Sequence, residues 1–199
     1  VNPDDIVNEY GADTMRLYEM FIGDFEKAAP WSQTSIKGCK RFLDRVWALQ
    51  DLVTDDEAAA KTLESSLHKT IKKVSLDIEA MKYNTAIAAM MSFLNEIGEA
   101  GAISREQYKV LLLLLNPFAP HITEEIWQQQ NFGGMVTDQK WPAYDESKCV
   151  DAQVEIAVQV CGKIKARLMV DPAAGKEEVL GKAKAAPEMP IWNTIRKTG

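Results

Sequence analysis

The chain has 199 residues, 46% of them hydrophobic and 26% charged, the composition of an ordinary globular protein with a core of its own. Its net charge is −6, from 29 acids against 23 bases, which taken alone argues against a nucleic-acid binder. The purest apolar runs, residues 86–91 and 110–115, are far shorter than the roughly 20 residues a bilayer span needs; Cys39, Cys149 and Cys161 form no CxxC pair, so a disulfide framework is not expected and a reduced cytoplasm is the simplest setting.

Asn2-Pro3-Asp4-Asp5 reads as a helix cap, a proline at the first helical position and acids in the first turn. A chain that opens on a cap from Val1, with no leader, is expected to be part of something longer. Residues 3–23 predict two short helices: Gly11 interrupts the apolar pattern, and Asp13 is the expected cap of its resumption through Met15, Leu17, Tyr18, Met20 and Phe21. Gly23 and Pro30 bracket a loop. Ser32 then caps a long amphipathic helix whose stripe is Ile36, Cys39, Leu43, Val46, Gln50 and Val53.

A third stripe runs Leu63, Leu67, Ile71, Val74, Ile78 and Met81. Asn84 is the expected cap of the next helix, which carries Ile87, Met91, Leu94 and Ile97 and ends at Gly98 or Gly101. Ser104 and Gln107 have capping-box spacing ahead of an apolar run that stops at Asn116-Pro117, and a further helix starts near Pro120. Residues 131–150 have no sustained period and read as an ordered loop or linker. Beyond it Val154, Ile156, Val158 and Val160 alternate as a half-buried strand, Gly162-Lys163 turns the chain into a second strand over 164–170, and a short helix follows over 176–185. The expected fold is therefore mainly α: a helical bundle up to about residue 130, then a small incomplete α/β module from 151.

Catalytic motifs are missing. His121 with Glu124 and Glu125 lacks a second histidine at helical spacing, so helix-start packing is preferred to a metal site, and no phosphate-cradling glycine loop or nucleophile elbow occurs. The candidate binding residues are cationic. Lys37, Arg41 and Arg45 fall at i, i+4 and i+8 on the helix after Ser32, with Lys40 beside them; residues 32–53 hold four bases against two acids. Such a stripe suits a phosphate backbone, with Trp31 and Trp47 adding stacking or packing, although a face that merely keeps a helix soluble has the same pattern. Arg16 either reaches a phosphate or pairs with Asp13 or Glu19. Lys163, Lys165 and Arg167 alternate along the second strand, which places them on one face as a nucleic-acid contact or as protection of a sheet edge.

The blocks Tyr10-Gly11-Ala12-Asp13-Thr14-Met15-Arg16 after Asn2-Pro3-Asp4-Asp5, then Trp31-Ser32 with Gly38-Cys39-Lys40-Arg41-Phe42-Leu43-Asp44-Arg45-Val46-Trp47, are similar to class I aminoacyl-tRNA synthetases just after their KMSKS motif. Tyr83-Asn84-Thr85-Ala86-Ile87, Phe93-Leu94-Asn95, Leu114-Leu115-Asn116-Pro117-Phe118-Ala119-Pro120-His121 and Val158-Gln159-Val160-Cys161-Gly162-Lys163-Ile164 extend the match. In order and nearly throughout, the chain resembles the leucyl-tRNA synthetase family of bacterial type. It departs where Gly23 is followed by Asp24-Phe25 instead of Pro-Leu, and where Cys161 stands in place of an asparagine, which puts the turn type in doubt.

The resemblance implies a segment following the catalytic domain over 1–30, a bundle of anticodon-binding type over 31–130, a linker over 131–150 and a partial tRNA-binding module over 151–199. It implies that the whole enzyme ligates leucine to tRNA(Leu), with ATP and Mg as cofactors. This portion has neither catalytic nor editing site, needs no cofactor or metal of its own, and is expected to position tRNA as a cytoplasmic, monomeric part of the same polypeptide. The tRNA contacts implied are Arg16, Trp31, Lys37, Lys40, Arg41 and Arg45, with Lys163, Lys165 and Arg167 in the terminal module. The corresponding part of a valyl-, isoleucyl- or methionyl-tRNA synthetase, which shares the Gly-Ala-Asp block, and a free-standing helical scaffold that binds protein are the other readings.

Overall fold

The computed structural model describes residues 2–23, 30–150, 154–160, 163–170 and 174–185. The chain divides into two compact units, Val1–Cys149 and Val150–Gly199. The first is helical. Helices α1 (Pro3–Tyr10) and α2 (Ala12–Phe21) meet at Gly11, whose φ of 91° is open to glycine at little cost; α3 (Gln33–Ala48) runs on into a short 3-10 turn. Then come α4 (Glu57–Thr62), α5 (Glu64–Glu79), α6 (Tyr83–Ala100), α7 (Arg105–Leu115) and α8 (Pro120–Gln129).

The local start signals mostly operate as the sequence predicts. Asn2 Oδ1 accepts the Asp4 amide at 3.2 Å, Ser32 Oγ accepts the Ser35 amide at 3.2 Å, and Ser104 and Gln107 bond each other's backbone as a full capping box. Two caps differ. Asp13 does not cap α2: Gly11 holds that position without a side-chain bond, and the Asp13 carboxylate is buried against α8. Asn84 is already inside α6, which begins at Tyr83 after Lys82. The α5–α6 turn is fixed instead by Asp77, whose buried carboxylate accepts from Lys73 Nζ at 2.6 and 2.7 Å and from Thr85 Oγ1 at 2.7 Å.

The amphipathic stripes converge on one core. Ile36, Cys39 and Val46 of α3, Ile71 and Val74 of α5, Ile87, Met90, Phe93 and Ile97 of α6, and Leu111, Leu112 and Leu115 of α7 are all buried. A two-residue parallel bridge, β1 (Val53–Thr54) with β2 (Ile103–Ser104), ties the chain after α3 to the start of α7, a pairing too short to leave a period in the sequence. Residues after α8 are strapped along α5: Trp141 Nε1 donates to Ser75 Oγ at 2.8 Å, the Asp145 amide to His68 Nδ1 at 3.0 Å, and Lys72 and Lys148 pair with Glu146 and Glu64, each at 2.6 Å.

In the second unit, β3 (Val154–Val160) and β4 (Lys163–Val170) form an antiparallel pair, and α9 (Lys176–Ala185) packs on β4, with Ala166, Val170 and Ala183 buried. The register pairs Val158 with Ala166 but Gln159 with Ile164, so Lys165 has no partner. The pairing therefore shifts register by one residue between Val158 and Gln159. The turn at Cys161-Gly162 and the loop between Gly23 and Pro30 lie outside the described residues.

Candidate nucleic-acid interface

The site is built on α3. Its apolar stripe, widened by buried Phe42, fixes the helix on the core and turns the opposite face outward. Lys37 and Arg41 are exposed on that outer face and have no hydrogen bond or ion pair with any described residue. Lys40 pairs with Asp44, one turn on, so its charge is partly offset locally. Arg45 lies over α6, donating to Asn95 Oδ1 at 2.9 Å and to the Leu94 carbonyl at 3.4 Å. Among the described residues, then, the stripe holds two cations without a partner, one paired cation and one guanidinium held over α6.

Asn95 is the residue that pattern reading did not assign. It lies fifty positions from Arg45, and its only trace in the sequence is its place in the Phe93-Leu94-Asn95 block. Trp31 is 38% exposed and meets Tyr18 edge-on at 4.8 Å between ring centroids, while the Tyr18 hydroxyl accepts the Ser32 amide at 2.8 Å. Trp31 therefore braces the start of α3 while remaining partly exposed. Trp47, 40% exposed, lies near the end of the same helix.

Arg16 makes neither of the local pairs that its spacing allows. Its Nη2 donates to the Pro117 carbonyl at 3.0 Å, across 101 positions. His121 Nδ1 lies 2.7 Å from Asp13 Oδ1 with the ring largely exposed, a packing role at the start of α8. Among the described residues no three His, Cys, Asp or Glu side chains gather as a metal site, and no helix is long and apolar enough to cross a membrane. Lys163, Lys165 and Arg167 belong to β4, in the second unit.

This is a helical bundle with an exposed cationic face on α3 and, among the described residues, no cluster of His, Cys, Asp or Glu that could hold a metal. The family described as "Anticodon-binding domain of tRNA ligase" matches residues 60–180, more than half the chain. The chain belongs to that family. It is similar to the leucine–tRNA ligase of Alkaliphilus oremlandii (strain OhILAs), 53% identical over 170 residues that make up 85% of this chain and 21% of that protein. Among solved structures it is similar to the ternary complex of Agrobacterium radiobacter K84 agnB2 LeuRS with tRNA and LeuAMS, at 27% identity and a TM-score of 0.72, over 96% of this chain and 27% of that one. The chain spans about a fifth of the length of the curated relative it matches.

Proposed function

We propose that this chain is the tRNA-gripping portion of a leucine–tRNA ligase, and that the whole protein, in the cytoplasm, uses ATP with Mg to join leucine to tRNA(Leu). The observation that carries the reading is the α3 face, where Lys37 and Arg41, exposed and with no partner among the described residues, stand beside Lys40 and Arg45 in a chain that is acidic as a whole. Two exposed cations on a helix fixed to the core lose little on meeting phosphates, because no ion pair with a described residue has to be broken first. The tRNA in the related solved complex and the family to which the chain belongs support the same reading.

In this reading Lys37, Lys40, Arg41 and Arg45 track the RNA backbone and Trp31 offers a ring edge at the head of the helix. Arg16 acts indirectly, holding the 117 turn. Lys163, Lys165 and Arg167 supply a second contact from the terminal module. Such contacts position the nucleic acid and carry no base identity.

The test is tRNA(Leu) binding to the chain across a salt series. With four phosphate contacts the logarithm of affinity should fall against the logarithm of salt with a slope of about −3.6, and the Lys37→Ala/Arg41→Ala double variant should flatten it by about two. An unchanged affinity and slope in that variant would remove α3 from the interface.

A further inference from the structure

Three clefts on the first unit differ in their charge. One of about 470 Å³ is acidic, with Glu57, Glu64 and Glu106 against Lys61. A second, of about 300 Å³, mixes Asp13 and Asp44 with Lys40 and His121. The third, also about 300 Å³, lies between α3 and α6 and holds Arg41 and Arg45 with Ser35 and Asn95, and among the described residues no carboxylate lines it. In a protein of net charge −6, two guanidinium groups around one cleft with no acid among its described lining mark a place for an anion.

The same cleft has an apolar side, formed by Phe21, Phe42 and Met91. Gly38, inside α3 and without a side chain, also lines the cleft, and a Cβ built there would meet nothing within 4 Å. Helix propensity disfavours glycine at such a position, so the open space is the feature that position 38 provides. The two arginines are prepared differently. Arg45 spends two of its five N–H donors on Asn95 and Leu94 and is thereby oriented, whereas Arg41 spends none on described residues.

We propose that this cleft seats a single phosphodiester of the RNA backbone, gripped by Arg41 and the pre-oriented Arg45, with Gly38 leaving room for the attached ribose against the apolar side. The proposal rests on the tRNA-binding reading and sharpens it from a charged face to one defined seat. The chemistry fits a phosphodiester better than a protein carboxylate, because a planar guanidinium pair bonds several phosphate oxygens at once while the apolar wall accepts the sugar.

The experiment is phosphate-ethylation interference on a tRNA(Leu) transcript, mapped with the wild-type chain, Arg41→Ala and Gly38→Leu, each checked by thermal melting. Arg41→Ala should weaken binding about tenfold at low salt, lower the salt slope by about one, and abolish interference at one or two adjacent phosphates while the others persist. Gly38→Leu removes no charge and should abolish interference at the same phosphates. If Gly38→Leu melts early, Arg41→Lys decides: the charge should restore the slope but the missing fork should leave that phosphate silent. An unaltered map in these variants overturns the seat and leaves the broader tRNA-binding reading standing. Absence of interference at every phosphate with the wild-type chain overturns both.

Discussion

The Asp13 carboxylate, on α2, closes the N-terminus of α8 at Ile122. Its Oδ2 accepts the Ile122 amide at 2.6 Å, and its Oδ1 accepts the His121 amide at 3.3 Å. The residue at the cap itself, Ala119, has no side-chain oxygen, and Pro120 has no N–H, so His121 and Ile122 present the first open donors of the helix. A negative group there also meets the positive end of the helix dipole. Arg16, one turn along α2, binds the Pro117 carbonyl at 3.0 Å. One face of α2 thus fixes both the exit from α7 and the entry to α8.

Replacing Asp13 by alanine should therefore strip a buried two-amide cap and cost about 2–4 kcal/mol. Asparagine should cost less, since its oxygen still accepts one amide while its nitrogen opposes the other. Urea unfolding followed by circular dichroism is the measurement, and a wild-type midpoint for Asp13→Ala would contradict the assigned cap.

Tyr108 gives a second test, with a defined pH dependence. Its ring is fully buried and its hydroxyl donates to the Val46 carbonyl at 2.8 Å, tying α7 to the end of α3. Burial pushes the phenol above the ordinary tyrosine range. Because the folded pKa exceeds the unfolded value near 10, the linked stability is complete below about pH 10 and drains as pH rises through the folded value. Tyr108→Phe should lose about 1 kcal/mol at neutral pH and show a shallower alkaline decline. An identical alkaline profile in both proteins would rule out the tyrosine as its source.

Cys39 should be chemically silent in the folded chain. It is fully buried in the α3 stripe, and burial pushes its thiol up to about 11. Only the thiolate reacts with alkylating reagents, so at pH 8 a Cys149→Ser/Cys161→Ser protein should be labelled only after denaturant is added. Its stability, linked to the neutral thiol, should hold below about pH 9 and decline as pH approaches 11. Rapid labelling of the native double variant would show that the α3 stripe opens.

What was legible in the sequence was what is local. The Ser32 cap, the Ser104–Gln107 box and the stripe from Ile36 to Val46 each involve residues within a few turns, so spacing alone locates them. Asp13 as the cap of α2, and the local pairs open to Arg16, fail for one reason: the partners found lie about a hundred positions away, and a carboxylate's preference for amides says nothing about which helix supplies them. The α6 start was missed for a related reason: Asn84 has the right chemistry, but Asp77 already holds Thr85 and the turn before it. For the interface, the cations of α3 were visible by period. Which of them are engaged was not, since Arg45 is held by Asn95 on another helix, while Lys37 and Arg41 find no partner among the described residues.

Two glycines three positions apart on α6 should respond with opposite sign to the same substitution. Gly98 lies within the helix, and a Cβ there would meet Arg45 Nη2 at 3.9 Å, an ordinary contact, so Gly98→Ala should stabilise the fold by about 0.5–1 kcal/mol through helix propensity. Gly101 ends the helix at φ 71° with its amide bonded to the Ile97 carbonyl at 2.9 Å, and alanine pays a steric cost in that left-handed geometry. Gly101→Ala should therefore destabilise by about 1 kcal/mol although no atom stands within 4 Å of the added methyl. Because the contacts at both sites are permissive, only backbone conformation separates them. Thermal melts that moved in the same direction for the two variants would show that α6 does not end at Gly101.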